Sequence, residues 1–186
     1  GRDYDGARDR FVYAYSHDGP LADTPADRFV LMRAPKNGLT RREEWEFFAG
    51  CDASDAPTWT TNVDHRAPVL RREGACLRSA MTYNAGLKRY LWWQQIPRPI
   101  GAADRGDTRF EGGFVILDAP EPWGPWTIAY QTDRWDVGPG EHADFPTKWI
   151  SDEGCTLHLV FSGDDCFCVR RAQIDLHDSD HNRSHD

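Results

Sequence analysis

The segments RSAMTYNAGLKRYLWW at residues 78–93 and FVILDAPEPWGPW at residues 114–126 show how this chain is organised. Apolar and aromatic residues occur in short stretches, and Gly, Pro, Asp or Asn separate these stretches. Such a pattern is typical of β-strands joined by turns. We therefore interpret residues 78–131 as a strand, a glycine turn, an aromatic-rich strand, a loop, a strand that ends in a charged residue and Ala, and a fourth strand.

Two other parts of the chain repeat this order of elements. The sequences at 10–16 (RFVYAYS) and 29–35 (FVLMRAP) correspond to the second and third strands of the unit. The sequences at 147–154 (TKWISDEG), 157–162 (LHLVFS) and 167–172 (FCVRRA) correspond to its first three strands. A repeated unit of four antiparallel strands is the blade of a β-propeller. The sequence therefore predicts an all-β fold with about three propeller blades, the first of which lacks its opening strand.

The predicted strands cover residues 11–16, 28–34, 66–71, 77–83, 88–95, 112–118, 126–131, 145–151, 156–162 and 167–174. Residues 39–50 (LTRREEWEFFAG) are predicted as one short helix or an irregular crossing, with Thr40 as the N-cap and Glu43 three residues later. Closed propellers have about four to eight blades. About three blades cannot close such a ring, so we expect further N-terminal blades or another chain to close it.

Composition excludes several classes of protein. The chain has 186 residues and a net charge of −8, so the basic surface of a nucleic-acid-binding protein is not expected. Apolar runs are too short for a membrane-spanning helix. The five cysteines have no zinc-binding spacing, and we expect neither a metal nor a cofactor. Residues 1–176 are predicted to form the partial propeller domain, and the polar residues 177–186 a disordered tail.

Several segments carry a resemblance to a known group of proteins, namely YAYSHD (13–18), FVLMRAP (29–35), YNAGLKRY (83–90), APEPWGPW (119–126) and FPTKW with VFSG (145–163). The chain resembles the five-bladed β-propellers of the glycoside-hydrolase type, the arabinanase and xylosidase-like superfamily, and is nearest to bacterial propeller proteins related to it. The resemblance covers nearly all of residues 10–176, and it implies five blades, of which about three are present and the N-terminal blades are missing. It implies a sugar pocket at the mouth of the central channel, with catalytic acids supplied by early blades. Such propellers are often secreted, so a secreted or periplasmic location is one expectation, and the compartment stays open.

Candidate catalytic residues follow from their expected places near that mouth. Glycoside cleavage needs two carboxyl groups across the scissile bond. The turn at 138–140 (GPG) precedes the inner strand of the last blade and places Glu141, His142 and Asp144 at its rim. We predict Glu141 as the acid, Asp144 as its partner and His142 as a substrate contact. Asp18, at the end of an aromatic-rich strand, is a third catalytic candidate, although turn formation explains it equally simply.

Candidate substrate-binding residues lie on the inner strands. Arg78 and Lys148 could hold the carboxylate of an acidic sugar, or could pair with carboxylates of neighbouring blades. Tyr83 could line the channel or belong to the core. Trp149 is the tryptophan that we expect to stack on a sugar, whereas the others are expected to be structural.

Three functions remain open at this point. The first is a carbohydrate-active propeller of the glycoside-hydrolase type that acts on a poly- or oligosaccharide. The second is a glycan-binding or interaction propeller without a competent pair of carboxyl groups. The third is a polysaccharide lyase in which Arg78 or Lys148 neutralises a uronate and a His or Tyr acts as base. Carbohydrate is the expected partner in each case, with neither nucleic acid nor membrane involved.

Overall fold

The computed structural model describes residues 7–96, 112–138 and 140–176, and over these residues it is built from strands and short 3₁₀ turns without an α-helix. The strands are Phe11–His17 (β1), Ala26–Pro35 (β2), Glu46–Cys51 (β3), Pro57–Thr60 (β4), Pro68–Cys76 (β5), Ser79–Asn84 (β6), Arg89–Ile96 (β7), Gly113–Ala119 (β8), Thr127–Thr132 (β9), Ala143–Asp144 (β10), Thr156–Phe161 (β11) and Cys168–Gln173 (β12). The all-β prediction is therefore confirmed.

The strands form three antiparallel sheets, which we call blades 1, 2 and 3. Blade 1 has the order β1-β2-β3-β4, and β5 pairs with the N-terminal half of β2 beside β3. Blade 2 has the order β6-β7-β8-β9, and blade 3 has the order β10-β11-β12. The repeat predicted that β1 and β2 correspond to β7 and β8, and that β11 and β12 correspond to the same two strands. It did not predict β10, which takes the place of β6 in blade 3 but lies before the segment expected there.

Blade 2 is packed between the other two blades. Successive residues of β7 point to opposite faces of the sheet. Trp92 therefore lies in a cluster with Phe29 and Leu31 of blade 1, whereas Trp93 lies in a cluster with Leu157 and other residues of blade 3. Both indoles are fully buried, and the ring centroids of Trp92 and Phe29 are 4.8 Å apart in an edge-to-face arrangement. Each seam between blades is thus an apolar core.

Residues 39–50 form no α-helix. A single 3₁₀ turn at Arg42–Glu44 leads into β3, and its N-cap makes no side-chain hydrogen bond, so the cap predicted at Thr40 is wrong. The strand is favoured because Phe48, next to the buried Phe47, packs into the seam with blade 2. Neither β3 nor β4 was predicted.

The strand predicted at residues 145–151 is also wrong. The inner strand of blade 3 is the short β10, and Thr147–Trp149 forms a 3₁₀ turn after it. Pro146 has no N–H for a sheet ladder and has the φ of −57° that starts such a turn. The amide of Trp149 then donates to the carbonyl of Pro146 at 2.9 Å.

In the described ranges, no helix is both long enough and apolar enough to cross a membrane. The segment predicted as a disordered tail, residues 177–186, lies outside the described residues. The proposed boundary of the propeller domain at residue 176 therefore stays a prediction.

Candidate functional site

The entrances of two inner strands are joined by an ion pair between Arg78 and Glu141. Arg78 directly precedes β6, and Glu141 lies two residues before β10. The Nη2 of Arg78 is 2.6 Å from Oε2 of Glu141, and the two side chains are 26% and 43% exposed. Both side chains of the pair are partly exposed to solvent. We call the place where these two strand entrances meet the rim, and a ligand bound there can contact a cation next to blade 2 and a carboxylate next to blade 3.

The loop that carries Glu141 is fixed by contacts to its backbone. The amide of Glu141 donates to Oγ of Ser162 at 2.8 Å, and Nε2 of Gln95 donates to the carbonyl of Gly140 at 3.1 Å. Gly140 has a φ of +74°, and a Cβ there would lie 2.3 Å from the carbonyl oxygen of Ser162. Because a side chain at residue 140 would collide with Ser162, only glycine fits at this position. The placement of Glu141 therefore depends on a glycine that is required by a contact with a distant part of the chain.

Asp144 links the inner strands of blades 2 and 3. Its Oδ1 accepts from the hydroxyl of Thr82 at 2.6 Å and from the amide of Phe145 at 2.7 Å. Thr82 is only 4% exposed, so this contact lies against the core. The carboxylate predicted as the partner of Glu141 is therefore held in one orientation by two donors.

A cavity of about 530 Å³ opens beside this carboxylate, and we call it the rim cavity. His142 and Asp144 line it together with Asp165 and Phe167. The ring of Phe167 is 77% exposed, and the ring of His142 lies 6.5 Å from that of the buried Trp93. Sequence reasoning missed Phe167 and Asp165, because residues 162–165 look like an ordinary polar turn and Phe167 like a strand residue.

A second cavity, of about 620 Å³, is also lined by Asp144, and we call it the axial cavity. It brings together four of the predicted site residues, namely Tyr83, Asp144, Lys148 and Trp149. Trp149 is 46% exposed, and its carbonyl accepts a hydrogen bond from Nδ1 of His158 at 3.0 Å. His142 thus lines the rim cavity, Asp144 lines both cavities, and the predicted residues Arg78, Glu141 and Asp18 line neither.

Arg8 is a wall residue of the axial cavity that the sequence analysis did not single out. Its guanidinium group lies 5.8 Å from the ring centroids of both Tyr83 and Tyr90, and it donates to Oε1 of Glu121 at 2.8 Å. Burial raises the pKa of Tyr90 to about 12. The Tyr90 phenol is therefore neutral at physiological pH.

Asp18 stands apart from both cavities. Its Oδ2 accepts from Nε of Arg28 at 2.7 Å, and its Oδ1 accepts from Nη2 of Arg66 at 2.7 Å. Burial opposes the charged form, but the hydrogen bonds from Arg66 and Arg28 outweigh it and hold the pKa of Asp18 below its usual value of 3.8. This geometry ties the β1–β2 hairpin to the segment before β5.

Across the described residues, no group of three or more His, Cys, Asp or Glu side chains is placed to hold a metal ion. All five cysteines are free thiols. The side chains near the two strand entrances and the rim cavity include carboxylates, an arginine, a histidine and an exposed phenylalanine.

Comparison with known proteins gives matches among solved structures. No protein-family model and no curated protein matches the chain. The exo-β-1,3-galactanase of Phanerochaete chrysosporium with galactose superposes with a TM-score of 0.51 and 11% identity, over 87% of this chain and 32% of that chain. Two variants of that enzyme with β-1,3-galactotriose give TM-scores of 0.53 and 0.52 at 11% and 12% identity, each over 89% of this chain and 33% of that chain.

The chain thus spans about a third of the length of these galactanase structures. At such low identity the likeness concerns the fold. This likeness agrees with the three antiparallel sheets of the chain and with the apolar seams between them. The chain is therefore similar in fold to part of a five-bladed β-propeller of the kind found in glycoside hydrolases.

Proposed function

We propose that this chain belongs to a carbohydrate-active propeller that binds a poly- or oligosaccharide at the rim formed by Arg78, Glu141, His142 and Asp144. The observation that carries the proposal is the ion pair of Arg78 and Glu141 across two inner-strand entrances, with Asp144 beside it on the same segment. The structural neighbours are glycoside hydrolases with galactose or a galactotriose bound, which supports a sugar as the ligand.

In the hydrolytic form of the proposal, Glu141 donates a proton to the glycosidic oxygen and Asp144 acts as base or nucleophile. The separation of two such carboxyl groups decides between retention and inversion of the anomeric centre. The contact with Arg78 has to break before Glu141 can reach a glycosidic oxygen. Arg78 is then available for an acidic group or a hydroxyl of the sugar.

Binding without catalysis is the alternative that one observation favours. Both carboxylates already have protein partners, Glu141 through Arg78 and Asp144 through Thr82. The exposed ring of Phe167 offers an apolar surface of the kind on which sugar rings stack. A rim of this kind can hold a glycan without cleaving it.

The experiment compares Glu141→Gln and Asp144→Asn in the intact natural polypeptide on a panel of β-1,3-galactan, arabinan, xylan and polygalacturonate. For a hydrolase, release of reducing ends falls by about 100-fold or more in each variant, since acid–base groups contribute about that much. Calorimetric titration with oligosaccharides measures binding separately. Glu153→Gln is the matched control, because Glu153 is an exposed carboxylate on the turn before β11.

Binding without turnover would support the glycan-binding alternative. Absence of both turnover and binding across the panel would overturn the proposal. Unchanged turnover in both variants would remove Glu141 and Asp144 from the catalytic site even if the glycan activity were real.

We also propose that the functional unit is a closed ring, which further blades of the same polypeptide, or another chain, complete together with the three blades described. Among the described residues, the two apolar core clusters lie in the two seams between the three blades. The described part has roughly a third of the length of the galactanases with which it superposes. The molecular mass of the natural gene product in solution tests this point, and a monomer of 186 residues would refute it.

A further inference from the structure

Two of the three lysines of this chain lie at one cavity. The sequence contains 19 arginines but only three lysines, and two of these, Lys36 and Lys148, line the axial cavity. Among the described residues, neither ammonium group has an ion-pair or hydrogen-bond partner. Arg8, which lines the same cavity, is by contrast paired with Glu121 at 2.8 Å. In a chain whose net charge is −8, two unpaired cations therefore border a single cavity.

The carboxylates of the axial cavity, those of Asp9 and Asp144, already have protein donors. The two oxygens of Asp9 accept from the amide of Phe11 and from the hydroxyl of Tyr13, each at 2.7 Å. Oδ1 of Asp144 accepts from the hydroxyl of Thr82 at 2.6 Å. A lysine ammonium group has three N–H donors and no acceptor. The charged donors that remain for a ligand are therefore those of the two lysines, and they favour a negatively charged group.

Aromatic surface lies next to these lysines. Trp149 directly follows Lys148, lines the same cavity and is 46% exposed. The rings of Tyr83 and Tyr90 also line the cavity, with their centroids 4.9 Å apart. The flat body of an aromatic side chain is a surface on which the apolar face of a sugar ring can stack. Lysines and exposed rings together fit a sugar unit that carries a negative charge better than a neutral sugar or a bare anion.

The axial cavity and the pair of Arg78 and Glu141 lie toward opposite ends of the inner strands. Arg78 directly precedes β6, whereas Tyr83 is the fifth residue after it, which corresponds to about 16 Å along an extended strand. Glu141 likewise precedes β10, and Lys148 follows it. A single sugar unit is shorter than this separation, so a sugar bound in the axial cavity occupies a different position from one bound at the rim.

The rim cavity differs from the axial cavity in charge. Its lining includes the carboxylates of Asp144 and Asp165 and the imidazole of His142, and among the described residues it includes no lysine or arginine. At the rim itself, Arg78 is already paired with Glu141. A sugar carboxylate in the rim cavity would meet two like charges, and this repulsion opposes its binding there. Charge therefore favours the axial cavity for an anionic sugar.

We propose that the axial cavity is a second glycan subsite and that it binds a sugar unit carrying a carboxylate or a sulfate group. Lys36 and Lys148 pair with the anionic group, and Trp149 stacks on the sugar ring. The inference rests on the proposed function in that the ligand is a glycan. It adds the class of sugar and a position distinct from the rim.

Calorimetric titration of the intact natural polypeptide tests the inference with trigalacturonate, a sulfated galactotriose and neutral β-1,3-galactotriose. We expect the two anionic trisaccharides to bind about 10-fold or more tightly than the neutral one, and salt at about 0.5 M to reduce this preference. Lys36→Gln and Lys148→Gln should each weaken anionic binding about 5-fold, because each removes one partly exposed ion pair.

The matched control is Lys88→Gln. Lys88 is the remaining lysine of the chain, is exposed on the turn before β7, and lines neither the axial nor the rim cavity. Its substitution removes the same charge and should leave the affinity for the anionic trisaccharides unchanged. Inorganic sulfate serves as a second probe, since it carries the charge without the sugar ring, and it should compete only weakly with the sulfated trisaccharide.

Three outcomes would overturn the inference. They are equal affinities for the anionic and neutral trisaccharides, an effect of Lys36→Gln and Lys148→Gln no larger than that of Lys88→Gln, and competition by inorganic sulfate as strong as that by the sulfated sugar. Binding of neutral galactotriose with any of these results would leave the glycan site at the rim standing. Lysine-dependent binding of the anionic sugars alone would support the axial subsite and count against the rim.

Discussion

Replacing Asp18 with Asn separates a structural role of this carboxylate from a catalytic one. In the structure, Asp18 is 12% exposed and is held by Arg28 and Arg66, whose side chains are 41% and 27% exposed. Asn keeps the shape of the side chain but removes the negative charge and one of the two accepting oxygens. Each arginine then loses a charge-assisted bond and turns toward water.

The expected loss of stability is moderate. A hydrogen bond to a charged group contributes about 1.5–3 kcal/mol, and two arginines share this carboxylate. Both arginines are partly exposed, so water replaces much of what they lose, as at surface ion pairs. We therefore expect Asp18→Asn to lower the free energy of unfolding by about 2 kcal/mol at pH 7.

The sign of the pH dependence follows from the lowered pKa of Asp18. Its contribution is fully present above the ordinary value of 3.8 and is lost as the pH falls through the lower pKa of the folded state. The difference between the parent and Asp18→Asn therefore narrows as the pH falls below about 3.8. It does not change between pH 6 and pH 8.

Urea unfolding at several pH values measures both effects. Asp64→Asn is the matched control, because Asp64 is an exposed carboxylate in the turn just before Arg66. A difference below about 0.5 kcal/mol, independent of pH, would refute the structural assignment. If activity on a glycan also fell while stability was unchanged, Asp18 would return to the catalytic candidates.

Three further predictions concern the core. Thr82→Val removes the hydroxyl bonded to Asp144 and should cost about 1.5 kcal/mol in urea unfolding, and Thr82→Ser should restore most of it. Gly154→Ala should cost about 2 kcal/mol, because φ is +81° and the added Cβ would lie 2.3 Å from Oδ1 of the buried Asn84. Burial raises the pKa of the Cys76 thiol to about 11, so at pH 8 Cys76 should react with a chromogenic disulfide reagent only after unfolding.

Each of these has a contrary result. Equal stabilities of Thr82→Ser and Thr82→Val would show that the hydroxyl does not hold Asp144. An unchanged midpoint for Gly154→Ala would show that Asn84 yields to the new methyl group. Fast reaction of Cys76 in the native protein would contradict its burial.

The propeller blades could be predicted from the sequence because their signal is local. Alternating apolar residues between turns indicate strands whatever the tertiary context. The FVILDAP and FVLMRAP segments occur as β8 and β2 at equivalent places in two sheets. The two wrong predictions also have local causes. A run of charged residues typical of a helix precedes β3, and Pro146 prevents β10 from continuing into the strand that was expected there.

The candidate site could be predicted only in part. Glu141, His142 and Asp144 lie close together because they are close in sequence. Arg78 was expected to meet either a sugar or a carboxylate of a neighbouring blade, and the structure shows the second contact, with Glu141. The exposure of Phe167 depends on what packs beside blade 3, and sequence spacing does not contain that information.

By itself, the sequence determined most of the strands, their repetition as blades and the segment that carries the rim carboxylates, since short-range alternation and turn residues encode all three. Only the tertiary structure decided that Asp18 is held by arginines 10 and 48 residues away. It also decided that Asp144 lines two cavities and that β1, among the described residues, pairs only with β2. Contacts of this kind depend on strand register and on the packing of one blade against another, and these are set by the summed burial of many side chains rather than by any local pattern.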